Sequence, residues 1–86
     1  FAIEAKRYAI GNGCKPEWIA QATRAAAKIG KFPCVVFKFD RLPIRVAVPF
    51  SAIAAAFDTT TKSEEWAHIS LEGFAYLARE IMAWRA

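Results

Sequence analysis

Glu4 and Lys6 are the residues of this chain whose types and spacing best suit them to chemistry. They stand two apart in the opening stretch Phe1-Ala2-Ile3-Glu4-Ala5-Lys6-Arg7-Tyr8, which alternates as a strand does, with Ile3 and Ala5 on the other face. Strand residues two apart project from one face, roughly 7 Å from each other. A carboxylate and an ammonium held that way can share one task at a phosphodiester. The carboxylate would bind a divalent cation, with Mg²⁺ the default for hard oxygen ligands. The ammonium would position or deprotonate the attacking water, or stabilise charge on the phosphate. A cation needs further oxygen ligands, normally another carboxylate among them. Without one, the two side chains are an ion pair on a strand, and from so common a tripeptide that is the plainer reading.

Positioning such a pair takes a strand with a helix laid against it, and the sequence supplies both. Gly11-Asn12-Gly13 is a loop signal, since glycine tolerates positive φ. Pro16 suits the first turn of a helix, and Glu17 suits the positive end of its dipole. Trp18, Ile19, Ala22, Ala25, Ala26 and Ile29 form an apolar stripe at helical spacing, opposite Glu17, Gln21, Arg24 and Lys28. Gly30 then closes the helix as a left-handed cap.

Phe32 to Phe39 is nearly continuous in apolar residues and predicts a strand covered on both faces. Asp40-Arg41-Leu42-Pro43 turns the chain, and Ile44 to Val48 returns as the second arm of a hairpin. Pro49 ends that arm, Ser51 is the expected cap of a short helix through Phe57, and Asp58 to Ser63 is a polar loop. Trp66 to Ile69 predicts a short strand. Ser70 is the expected cap of a last helix burying Leu71, Phe74, Leu77, Ala78, Ile81 and Trp84. The order is β-α-β-β-α-β-α, an α/β domain with a small mixed sheet flanked by helices.

Ile3-Glu4-Ala5-Lys6-Arg7, a following helix with Gln21, and Pro33-Cys34-Val35-Val36-Phe37-Lys38-Phe39-Asp40-Arg41 together resemble the PD-(D/E)XK nuclease superfamily. The pattern is most similar to the phage-borne, Holliday-junction-resolvase-like members. Those carry an E-x-K strand, a helix, a valine-rich hairpin with a charged turn, and a strand-to-helix end of the form V-x-x-L-x-x-F. Val46-Ala47-Val48-Pro49-Phe50-Ser51-Ala52-Ile53 stands for that last element, so the resemblance covers about residues 1–57. It implies the C-terminal half of a restriction-endonuclease-like fold. By the same resemblance Glu4 is a metal-binding carboxylate, Lys6 the catalytic lysine, and the Ala5 main-chain carbonyl a further metal ligand. Gln21 matches, more loosely, a helix glutamine facing the site.

The chain departs from the pattern upstream. The family's helix glutamate and the metal-binding aspartate of the preceding strand have no counterpart in the three residues before Glu4. Downstream, none of Asp40, Asp58, Glu64 and Glu65 falls in an equivalent motif. The expectation is one domain over residues 1–86, incomplete at its N-terminus, whose site is completed by preceding sequence or by another subunit. Two functions follow from that resemblance. One is a Mg²⁺-dependent DNA endonuclease of the Holliday-junction-resolvase kind. The other is a non-catalytic protein-binding or inhibitor module, such as an anti-host-defence protein, on a degenerate nuclease scaffold.

Bulk properties narrow the field. The 86 residues allow one small core, and 56% hydrophobic residues exclude a disordered chain and suggest surface hidden against a partner or a second copy. A net charge of +4 suits an acidic partner such as DNA, with Arg7, Lys15, Arg24 and Lys28 as candidate phosphate contacts or, for the helix pair, a solvated face. Lys38, Arg41 and Arg45 at the hairpin add phosphate contacts or shield an edge. Cys14 and Cys34 lack metal-ligand spacing and read as reduced, partly buried thiols of a cytoplasmic protein, and the resemblance implies a bacterial or phage-infected host cell. The longest uncharged run is too short to span a bilayer, and no secretion signal appears. His68 reads as a strand polar group, and the three tryptophans as packing or interface anchors.

Overall fold

The computed structural model describes residues 1–9, 11 and 13–85, apart from the side chains of residues 84 and 85. Its elements are β1 (Ala2–Tyr8), α1 (Pro16–Ala27), β2 (Pro33–Phe39), β3 (Arg45–Pro49), α2 (Phe50–Ala56), β4 (Trp66–Ser70) and α3 (Leu71–Arg85). The four strands form one mixed sheet in the order β1-β2-β3-β4. β1 runs parallel to β2, as a connection through a helix requires, while β2–β3 and β3–β4 are antiparallel. This is the small α/β architecture that the sequence pattern predicts.

Two clusters fill the two faces of the sheet. On one face Trp18 and Ala22 of α1 pack on Val35, Phe37 and Phe39 of β2 and Ala47 of β3. On the other, Ala52 and Ala56 of α2 and Leu77 and Ile81 of α3 cover Cys34, Val46 and Val48. The valine-rich β2 and β3 are therefore buried from both sides, which is why they read as nearly continuous apolar runs. Phe1 extends the second cluster, meeting Phe74 edge-on at 4.8 Å and Phe32 at 6.0 Å.

Local signals explain most boundaries. Gly30 adopts φ 64, and the Lys31 amide donates back to the Ala26 carbonyl to close α1. The Ser70 hydroxyl accepts a hydrogen bond from the Gly73 amide at 3.1 Å and caps α3 as expected. Asn12 of the predicted glycine loop and the Trp84 side chain lie outside the described residues, while Gly11 does adopt a positive φ of 138.

Other expectations need correction. Ser51 is not the cap of α2: Pro49 holds that position in extended conformation with no side-chain hydrogen bond, so the helix starts at Phe50. The fixed φ of proline pre-sets the turn without a capping hydroxyl. Ile29 is 59% exposed and Leu71 43% exposed, although both lie at helical spacing. Ile29 follows the last helical residue and Leu71 opens the first turn of α3, where a stripe no longer points at the sheet. Ala25 is exposed as well, and Ala78 only half-buried.

Candidate active site

The phase of the β1–β2 ladder decides what β1 presents. The Ala2 amide donates to the Phe32 carbonyl at 2.7 Å, and the Asp40 amide donates to the Tyr8 carbonyl at 3.2 Å. In a parallel pair every second residue turns both its amide groups to the neighbour, so Ala2, Glu4, Lys6 and Tyr8 bond to β2. Ile3, Ala5 and Arg7 consequently aim their N–H and C=O groups away from the sheet, along a free edge.

The side chains divide in the same rhythm. Glu4 and Lys6 lie in register with Val35 and Phe37, and so share the face covered by α1, where both are half-buried. Among the described residues neither forms an ion pair or a side-chain hydrogen bond, with each other or with anything else; the only ion pair is between Arg7 and Asp40. The plain strand ion pair expected from the tripeptide is thus not formed. Arg7 is on the opposite face, 3.7 Å from Asp40 with both groups exposed.

Lys15 precedes the first turn of α1, and its ammonium lies 4.8 Å from the centre of the Tyr8 ring, on the face of Glu4 and Lys6. Gln21 is exposed on α1, about 100° around the helix from the line of Trp18, Ala22 and Ala26. Arg24 and Lys28 are exposed and turn farther from the sheet. The fold therefore gathers Glu4, Lys6 and Lys15 on one face, with Gln21 at its flank. Arg7, Arg24 and Lys28 stand elsewhere. At the hairpin, the Lys38 ammonium donates to the Leu42 carbonyl at 3.1 Å and is occupied by its own turn.

The donor chemistry fits a hard divalent cation in part. The Glu4 carboxylate has no partner of its own, and the Ala5 carbonyl emerges on the adjoining free edge. Both are oxygen donors of the kind Mg²⁺ takes. No group of three or more His, Cys, Asp or Glu residues that could hold a metal occurs among the described residues. Two donors from neighbouring positions of one strand would supply only part of a coordination shell.

Other reactive groups stand apart. Burial pushes the thiols of Cys14 and Cys34 up to about 11, which keeps both protonated and weakly nucleophilic at neutral pH. His68 lies on β4, two strands from β2, with its ring edge-on to Phe37 at 5.3 Å.

The family model described as "Phage putative PDDEXK endonuclease" matches residues 1–86. The chain belongs to this PDDEXK family. No curated protein and no solved structure matches it. For a PDDEXK chain the coincidence of motif and geometry is informative, since its E-x-K residues occupy an open sheet edge under a helix. The match also extends past residue 57, where the sequence pattern stops being legible, to include β4 and α3. No described helix of this PDDEXK chain is long and apolar enough to cross a membrane. Sequence reasoning missed Tyr8, which shares the face of Glu4 and Lys6 and stacks on Trp18. The same period of two that pairs residues 4 and 6 also selects residue 8, and puts Arg7 on the far side.

Proposed function

We propose that the chain contributes the E-x-K half of a metal-dependent DNA endonuclease site. The remaining carboxylate would come from a strand added along the free edge of β1, supplied by preceding sequence of the same protein or by another subunit. One observation carries the reading: Glu4 and Lys6 are side by side and half-covered, and among the described residues they have no side-chain partner and the adjoining edge amides are unused. A strand seated there would bring its side chains within about 5 Å of β1, the ordinary spacing of paired strands.

Glu4 and the Ala5 carbonyl would hold the cation, which when bound supplies Lewis acidity toward the phosphate and lowers the pKa of water. Lys6 orients the attacking water and offsets charge on the phosphate. α1 shields this face from bulk water, which strengthens both contributions. Gln21, at the helix flank, is a candidate to hydrogen-bond water or phosphate, and Lys15 a candidate backbone contact. The resolvase-like resemblance favours branched DNA among the substrates.

The test is cleavage of branched and linear DNA with and without Mg²⁺, using the protein with its preceding gene sequence. Lys6→Ala should lower the rate by about 10²–10⁴-fold. Metal-dependent cleavage that survives this change removes Lys6 from catalysis. A protein that never cleaves and instead recovers a specific protein partner is the inhibitor module.

A further inference from the structure

Tyr8 stands one strand repeat beyond Lys6 on the face of the reacting pair, about 7 Å along β1. Its ring stacks on Trp18 with centres 5.1 Å apart and planes inclined by 27°. Trp18 is only 3% exposed and stacks in turn on Phe39 at 6.1 Å, so Tyr8 is the outermost ring of an aromatic row rooted in the core. Tyr8 itself is 44% exposed, and among the described residues its hydroxyl makes no hydrogen bond. Its backbone is held by the Asp40 amide, so the ring projects from a fixed point.

The Lys15 ammonium lies 4.8 Å from the Tyr8 centre and 5.7 Å from the Trp18 centre. With the rings 5.1 Å apart, the three points form a nearly equilateral triangle. An ammonium on the far face of Tyr8 would be separated from Trp18 by close to the sum of the other two distances. Lys15 therefore lies on the Trp18 side of the Tyr8 ring, and among the described residues no ring or cation stacks on the other face of Tyr8. A rigid aromatic face with an ammonium 4.8 Å from its centre matches a base and its adjoining phosphate. Every base has such a face to offer once it leaves the duplex, and a base inside a duplex does not.

The geometry points to Tyr8 as a stacking platform for an unpaired DNA base, with Lys15 taking the phosphate next to it. This deepens the hydrolytic reading and rests on it: the phosphate presented to Glu4 and Lys6 adjoins an unpaired nucleotide. The substrate class is DNA with a frayed, flapped or single-stranded segment at the site, rather than uninterrupted duplex.

The test is fluorescence anisotropy of a labelled single-stranded oligonucleotide and of the corresponding duplex, in EDTA so that no strand is cut. Tyr8→Leu keeps an apolar cover on Trp18 but removes the π face, and Tyr8→Phe keeps both; circular dichroism reports that each variant is folded. Tyr8→Leu should weaken single-strand binding about tenfold and duplex binding less than twofold, with Tyr8→Phe close to the parent. Lys15→Ala should weaken single-strand binding and flatten its salt dependence. A Tyr8→Leu variant that binds single strands like the parent, or loses equally on duplex, overturns the proposal. Absence of cleavage in Mg²⁺ by the protein with its preceding gene sequence, alongside a Tyr8-dependent preference, refutes the hydrolytic reading and leaves the platform standing.

Discussion

The two outer strands of the sheet are built differently. β4 is five residues long, and Trp66, Ala67 and Ile69 are all half-buried along it. It passes without a loop into α3, which covers one of its faces. β1 is seven residues long and regular, yet Ile3 is 60% exposed and Ala5 is exposed beside it. It has no proline or bulge of the sort that normally blunts a solitary edge, and the charges it turns inward are Glu4 and Lys6 themselves. β4 has the dimensions of a terminus of the sheet, whereas β1 has those of an interior strand. Glu4 and Lys6 lie on the strand that has room for a neighbour.

That contrast can be broken by measurement. The largest effect is expected under β1: Trp18→Ala removes the ring joining Tyr8, Phe37 and Phe39, and should cost about 3–5 kcal/mol in chemical denaturation. Next comes the ladder. Glu4→Pro deletes a bond to β2 and leaves a buried carbonyl at Cys34 unmet, a loss of about 2–3 kcal/mol. Ala5→Pro removes only an outward amide and should cost clearly less, while blocking strand addition and with it DNA cleavage. Equal losses from the two prolines would refute the free edge.

The thiols provide a pH handle. Their folded values near 11 exceed those of the unfolded chain, so the unfolded state loses protons first as pH rises. Stability should be flat below about pH 8.5 and fall toward pH 11, with a smaller decline in Cys34→Ala. Arg41 and Asp58 hold φ 67 and 55, and glycine at either should raise stability by about 0.5–1 kcal/mol. The smallest effect belongs to Ile3→Thr, expected within about 0.5 kcal/mol for the chain alone. A much larger loss would mean that a further strand or copy already covers β1.

Much of this was readable from residues. The order of elements follows from Gly30, the charged hairpin turn, Pro49 and the Ser70 cap, each of which limits the chain by local sterics or hydrogen bonding. Ile29 and Leu71 were misread because helical spacing continues past the point where the helix still faces the sheet. Ser51 was misread because proline before a helix can replace a capping hydroxyl. At the candidate site, residue type and alternation singled out Glu4 and Lys6, and the ladder places both under α1. The freedom of both side chains was not legible, nor was the outward aim of the Ala5 carbonyl, because ladder phase depends on which residue of β2 meets which of β1. Arg7 was grouped with Lys15 by proximity in sequence, although parity separates them.

The missing loops at Pro49–Phe50 and Ser70–Leu71 have a mechanical consequence. β3 runs directly into α2 and β4 directly into α3, and these strands are antiparallel, so the two joints lie at opposite ends of one strand pair. Each helix is a stiff arm clamped to its strand, and the arms brace one another across the same face. Neither strand–helix joint leaves room for a hinge. A strand arriving at the β1 edge would therefore meet a sheet whose far side is braced from both ends of its β3–β4 pair.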